Sequence, residues 1–260
     1  MQNIWTLPKP SLRFIPVWQR NLLVWRKLAI PSILGNIADP LIVLVAFGYG
    51  LGSLLPQVQG LPYIVYLSAG ALCMSTMNAA TFEALYSAFS RMHVQRTWEG
   101  LMNTPLVLDD IVLAEMLWAA SKSVLSGVSI LLVIWALGIS HQPATLLIPF
   151  VLALTGLAFA ALGLCINALA PGYDFFMYYF TLVITPMTFI SGVFFPLAQL
   201  PLALQHFSQG LPLTHAVLLV RPLVQGLWPT DILLHLAVLL VYAVAGFILA
   251  VVLTRRRLLK

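Results

Sequence analysis

Residues 232–253 read ILLHLAVLLVYAVAGFILAVVL, and Thr254-Arg255-Arg256-Arg257-Leu258-Leu259-Lys260 follow. An uncharged run of that length matches the ~20 residues a helix needs to cross the hydrocarbon core of a bilayer. Basic residues gathered at its end mark the cytoplasmic face, where Lys and Arg accumulate. Working outward, apolar runs recur at about 33–55, 62–90, 111–138, 144–168 and 174–191, which with 231–253 makes six. Hydrophobic residues are 61% of 260, charged residues 8%, and the mean hydropathy is +0.97. Soluble domains carry about three times that share of charge. The expected fold is therefore an all-α polytopic membrane protein of six transmembrane helices, with no length left over for a soluble catalytic domain.

The organisation follows from what lies between the runs. Residues 1–30 hold Lys9, Arg13, Arg20, Arg26 and Lys27 scattered among aromatics, with no short apolar run before a small-residue cleavage site, so they do not read as a signal peptide. Within them, Phe14, Trp18, Leu22, Trp25 and Ala29 share one helical face and Arg13, Arg20 and Lys27 lie roughly opposite. That predicts an amphipathic helix over 11–30 in the membrane plane, serving either as a basic anchor or as a docking surface for a partner. With six spans, the N-terminus, the 91–110 and 169–173 loops and the C-terminus share a side holding eleven of the 13 Lys and Arg, which predicts that both termini are cytoplasmic. Between the fifth and sixth spans, residues 192–230 are apolar yet broken by Pro196, Pro201, Pro212, Pro222 and Pro229. Backbone groups freed by proline must be satisfied by protein or water, so this stretch predicts an outer-leaflet re-entrant helical hairpin; a seventh kinked span is the alternative. Residues 31–260 then form one transmembrane domain.

Several chemistries lack their motifs. There is no G-x-x-x-x-G-K-[ST] loop, no H-E-x-x-H, no G-x-S-x-G and no Cys/His cluster at metal spacing. Cys73 and Cys165 fall inside apolar runs and read as small hydrophobes. The basic residues form no continuous patch for nucleic acid. Tyr173-Asp174 has no second carboxylate to share acid and base roles with. An intramembrane enzyme acting on a lipid or peptide substrate stays open as the alternative function.

Charges within spans cost roughly 2.5–3.5 kcal/mol each on insertion scales, so each calls for a partner. Glu83 lies two thirds along the second run, while Glu115 and Lys122 sit on one face of the third, which suggests a Glu83–Lys122 pair across helices, as glue or as part of a substrate route. Asp109 and Asp110 stand where carboxylates cap a helix start. The histidines are dispersed, with His141, His206, His215 and His235 toward the outer side. Among polar residues inside spans, Asn78, Tyr178, Thr181 and Thr185 are candidates for lining the path of an amphiphile, and the others pack helices together.

Residues 91–122 are where the chain resembles a known family. Arg91-Met92, Gln95-Arg96-Thr97-Trp98-Glu99, Leu108-Asp109-Asp110-Ile111-Val112-Leu113-Ala114-Glu115-Met116 and Trp118-Ala119-Ala120-Ser121-Lys122 are similar to the permease subunit of ABC-2 type exporters, close to the NodJ (lipooligosaccharide export) branch. Ala38-Asp39-Pro40-Leu41, Ala168-Leu169-Ala170-Pro171-Gly172-Tyr173-Asp174, Ser191-Gly192-Val193-Phe194-Phe195-Pro196 and Leu211-Pro212-Leu213-Thr214-His215 extend the likeness over essentially the whole chain. The resemblance implies a homodimeric permease in the bacterial inner membrane. It binds two copies of a NodI-type ATPase that carries the ATP and Mg, and itself holds no cofactor or metal. It also implies a coupling segment over about 91–104, with Arg91, Arg96, Thr97, Trp98 and Glu99 toward the ATPase, and an amphiphilic cargo such as an acylated oligosaccharide.

Overall fold

In the computed structural model, residues 6–55 and 57–259 are described, the side chains of Asn36 and Asp39 excepted. Lys260 of the basic tail and the Asp39 side chain of the family-like Ala38–Leu41 segment thus lie outside the described residues. The helices in chain order are α1 Phe14–Arg26, α2 Ala29–Leu54, α3 Tyr63–Val94, α4 Thr97–Met102, α5 Leu108–Ala136, α6 Pro143–Leu169, α7 Asp174–Ile190, α8 Leu202–Ser208, α9 Pro212–Gln225 and α10 Ile232–Leu258. Among the described residues, α2, α3, α5, α6 and α10 are long and apolar enough to cross a membrane. The sixth apolar run, α7, has 17 residues, or ~26 Å of helix, somewhat short of a ~30 Å core. A two-residue hairpin turn at Gln59-Gly60, both at positive φ, pairs Gln57–Val58 with Leu61–Pro62 and links α2 to α3.

Helix α3 is the hub. Its apolar stretch is 83% buried, against 12% for α2, so α3 is enclosed by neighbours while α2 stands at the periphery. Close approach of the other helices relies on small residues, as expected where helices must pack without a hydrophobic drive between them. A Cβ on Gly246 of α10 would sit 2.9 Å from Ala161 Cβ of α6, and one on Gly156 of α6 would strike Ser123 of α5. Cys165 Sγ meets the Gly246 carbonyl at 3.2 Å, so this cysteine packs a helix pair, as its apolar context suggested.

The two ends of the bundle are built differently. At one end, Arg255 of α10 forks onto Asp109 of α5 (Nε–Oδ1 2.9 Å) and donates to the Thr6 carbonyl at 2.7 Å, while Arg257 donates to the Ala170 carbonyl at 2.7 Å. Asp109 Oδ2 also accepts the Lys9 N–H, and Asp110 Oδ2 accepts the Ser11 hydroxyl at 3.0 Å. These contacts place the N-terminal segment, the start of α5, the end of α6 and the end of α10 together. They also correct the capping expectation. Asp109 and Asp110 still lie in the first turn of α5, but they bind the N-terminal segment and Arg255, and no side chain caps that helix.

At the other end, the proline-broken stretch folds back on α3. The Tyr66 hydroxyl donates to the Gly192 carbonyl at 3.1 Å, and the Arg221 guanidinium lies 3.7 Å from the Tyr66 ring centroid. Because Tyr173 packs on Tyr86 and Phe89 while Gly192 meets Tyr66, α7 runs the length of α3. His215 and His235 lie on the facing helices α9 and α10. They are buried with Nδ1 atoms 2.8 Å apart, and His215 Nε2 donates to the Gln209 carbonyl. No group of three or more His, Cys, Asp or Glu suited to a metal occurs among the described residues.

The Asp109–Arg255 clasp should hold the N-terminal segment in place. Breaking a buried ion pair on one side costs about 3–5 kcal/mol, so Arg255→Ala should raise tryptic cleavage after Arg13 more than tenfold. Arg256→Ala, at an exposed position, should leave the rate unchanged. Equal cleavage rates in the Arg255 variant and the wild type would show that something else holds the segment.

Candidate functional site

The site lies at the end where the termini meet, on the inner flank of α3. Glu83 and Arg91 are eight residues apart on that helix. In an ideal α-helix that spacing leaves them about 80° apart around the axis. Here Glu83–Ser87 and Ser90–Val94 are π-helical turns, whose wider i→i+5 geometry absorbs the offset and brings both side chains to one side. Arg91 then reaches Glu83 Oε1 at 2.9 Å and forks onto Glu115 of α5, with Nε 2.9 Å from Oε1. Lys122, two turns on from Glu115, places Nζ 2.8 Å from Glu83 Oε2. Two indoles complete the set: Trp118 donates to Glu83 Oε1 at 2.8 Å and Trp98 of α4 donates to Glu115 Oε1 at 3.2 Å.

Both carboxylates are nearly sealed from solvent, Glu83 at 4% and Glu115 at 1% exposure. Two anions therefore face two cations, with indole N–H groups on the remaining lone pairs, which is the condition under which buried charge is tolerated. Chemically the cluster is a brace. It ties α3, α4 and α5 together and leaves neither carboxylate free as an acid or base.

The residues assigned to coupling divide. Arg91 continues α3 instead of starting a loop, and with Trp98 it turns inward to the brace. That corrects the reading of these two as outward contacts: an arginine one turn from the apolar run ends there because Glu83 and Glu115 need its charge. Arg96 and Glu99 are exposed, and Thr97 is half-buried beside Gln95. Arg96 also holds φ +51°, a left-handed turn that ends α3 and starts α4. Helix α4 is thus anchored from within by Trp98 and presents Arg96 and Glu99 outward.

Helix α1 joins the same cluster. Trp18 and Trp25 set their edges on Trp118 at centroid distances of 6.3 and 6.0 Å, and Trp18 Nε1 donates to Ser121 Oγ. The helix is shorter than the 11–30 expected, and its tryptophan face packs on protein instead of facing headgroups. Asn21, buried on that face, was not singled out from the sequence because a lone asparagine carries no signal.

Of the candidate path residues, Asn78 and Thr185 come together. They line a cavity of about 750 Å³ between α2, α3, α5 and α7, with Phe82, Phe180 and Phe189 around them. Ser75 and Ser126, whose hydroxyls are 2.8 Å apart, form part of its wall. Tyr178 and Thr181 lie instead on the exposed face of α7.

Removing one partner of the brace strands a buried charge, so Arg91→Ala should cost about 3–5 kcal/mol and lower the unfolding temperature in detergent sharply. Arg91→Lys should be intermediate, keeping the charge but losing the two-pronged geometry. An Arg91→Ala protein as stable as the wild type would mean that the brace does not hold the fold.

Residues 14–224 match the family described as ABC-2 type transporter. The chain is 49% identical over 255 residues to Nodulation protein J of Rhizobium leguminosarum bv. viciae, covering 98% of both proteins. It is 48% identical over 253 residues to Nodulation protein J of Rhizobium meliloti (strain 1021), covering 97% of both. Inner membrane transport permease YadH of Escherichia coli (strain K12) is more distant, 22% identical over 237 residues, or 90% of this chain and 91% of that protein. The matched span takes in α1 through almost all of α9, and with it the brace, α4 and the α2–α7 cavity. A family match over most of its length and near-half identity from end to end show that this chain belongs to the ABC-2 type transporter family, as a multi-pass membrane transport subunit.

Proposed function

We propose that this chain is the membrane half of an ATP-driven exporter, energised by a separate ATPase and moving an amphiphile out across the inner membrane. The observation that carries this reading is α4: a short helix anchored inward by the Trp98–Glu115 hydrogen bond, with Arg96 and Glu99 directed away from the bundle. That arrangement suits a handle gripped by a partner. A nucleotide-binding loop is missing from the sequence, so on this reading the partner, a NodI-type ATPase in two copies, binds ATP and Mg. The chain itself binds no cofactor.

On this reading α7 is the sixth crossing, residues 192–230 form the outer-leaflet re-entrant hairpin, and both termini are cytoplasmic in a bacterial inner membrane. Eleven basic residues on that side, against Arg221 alone on the other and Lys122 within a span, support this orientation. Two copies of the chain pair to enclose the route. Nucleotide closure of the ATPase pulls on α4, the brace passes that displacement to α3 and α5, and the pair rocks between closed and open forms. The nucleotide must favour one form by a few kcal/mol for this to drive export. The α2–α7 cavity, with aromatic rings and the Asn78 and Thr185 polar groups, suits a cargo that is part acyl chain and part sugar, such as an acylated oligosaccharide. Glu83 and Glu115 are held by cations and indoles, which counts against an intramembrane enzyme built on them.

The test is co-purification of the tagged chain from native membranes in mild detergent. A P-loop ATPase should be retained in equimolar amount, and Glu99→Ala should reduce its retention about tenfold, the loss of ~1.4 kcal/mol at an interface contact. Arg96→Gly should do the same while keeping the left-handed turn, which separates the side chain's part from the backbone's. A preparation reproducibly free of any ATPase, or variants that hold it as tightly as the wild type, would count against this assignment.

A further inference from the structure

A second cavity, of about 490 Å³, lies between α1 and the brace, and one of its walls is unused by any contact described so far. That wall is Arg20, Asn21 and Val24 of α1 with Leu28 just beyond the helix end. Asn21 is 3% exposed, yet its Nδ2 has no hydrogen-bond partner among the described residues. Its Oδ1 accepts a long 3.4 Å bond from Arg20, and Arg20 makes no ion pair among the described residues. A buried amide donor with nothing to donate to is uncommon in folded proteins and points to an acceptor that enters from outside the chain.

The charge balance indicates which acceptor. Arg91 and Lys122 on the cavity wall are offset by Glu83 and Glu115, so Arg20 is the cation left over: three positive groups against two carboxylates. Apolar side chains stand exposed on its α1 side: Val24 is 57% and Leu28 64% exposed. A free aqueous anion gains nothing from that apron, whereas an amphiphile gains from both parts at once.

We infer that this cavity binds the phosphate headgroup of an anionic membrane phospholipid, with acyl chains lying along Val24 and Leu28. The phosphate oxygens accept from Arg20, and from Asn21 Nδ2 once that sealed amide turns into the cavity, and Ser87 lies on the opposite wall for a headgroup hydroxyl. A zwitterionic headgroup would bring its own cation against Arg20, Arg91 and Lys122, so the site discriminates by charge. The lipid then seats α1 against α3 and α5, independently of any cargo in the α2–α7 cavity. This goes beyond the export reading and requires neither ATPase nor nucleotide.

The experiment uses the full chain in mild detergent, with phosphatidylglycerol or phosphatidylcholine added in separate samples and retained lipid read by native mass spectrometry. Retention of phosphatidylglycerol should exceed that of phosphatidylcholine about fivefold, the factor one basic residue adds beside anionic lipid. Arg20→Gln should bring the two to parity, Asn21→Leu should lower retention of both lipids because both carry the phosphate its amide would bind, and Arg26→Gln, at an exposed position of the same helix, should keep the wild-type preference. Arg20 is half-exposed, so its variant tests the site without disturbing packing, and an unchanged unfolding temperature without lipid verifies this. Equal retention of both lipids by the wild type, or a preference that survives Arg20→Gln, would overturn the inference. So would inorganic phosphate displacing phosphatidylglycerol at equal concentration, which would make the site one for free anions. Because no nucleotide or transport is involved, these outcomes stand or fall apart from the ATPase assignment.

Discussion

Two carboxylates buried beside the central helix dictate much of what surrounds them. Removed from water, Glu83 and Glu115 would each cost several kcal/mol as isolated ions. The bundle meets that cost with Arg91 from the same helix, Lys122 from α5 and the indoles of Trp118 and Trp98. Each donor fixes an element. Arg91 requires the π turns in α3, Trp98 requires α4 to fold under the end of α5, and Trp118 presents the ring on which Trp18 and Trp25 of α1 settle. The amphipathic helix, the short helix after α3 and the spans α3 and α5 are thus one electrostatic and aromatic unit, where a purely apolar core would let them slide past one another.

The sequence made the transmembrane runs legible because apolar length is a local property, and the long helices fall close to where hydropathy puts them. Glu83 meeting Lys122 was also readable, since an acid and a base inside neighbouring spans have few other places to go. What stayed hidden was rotation. Whether Arg91 faces the loop or the core depends on π turns that no residue pattern announces. A tryptophan such as Trp98 reads the same whether it meets a partner or a buried carboxylate. Asp109 and Asp110 were placed in the first turn of α5, but their partners, the backbone of Lys9 and Ser11 and the side chain of Arg255, lie about a hundred residues or more away. The proline-broken stretch was legible as irregular, while its docking on Tyr66 through Gly192 and Arg221 was not.

The small residues divide labour with the charges. Gly246 against Ala161 and Gly156 against Ser123 let α10, α6 and α5 approach closely, and that close packing takes no side in any electrostatic argument. It supplies a stiff back to the bundle. The charged brace sits at one end only, so stiffness along the spans and linkage at the end come from different chemistry.

That division bears on how a pull at α4 would travel. A displacement delivered to Trp98 reaches Glu115 directly and, through Arg91, Glu83, so α3 and α5 move with α4 or the brace breaks. Helices α6 and α10 are locked to each other by close-packed small residues and follow as a body. Helix α2 has only 12% of its apolar stretch buried and makes no ion pair among the described residues, and α7 shows Met177, Tyr178 and Leu182 to the outside. The 750 Å³ cavity is walled by both kinds of helix, α3 and α5 on the braced side and α2 and α7 on the loose side. On the export reading, a motion entering at α4 would change the gap between those two pairs, and that gap is where Asn78 and Thr185 line the same space.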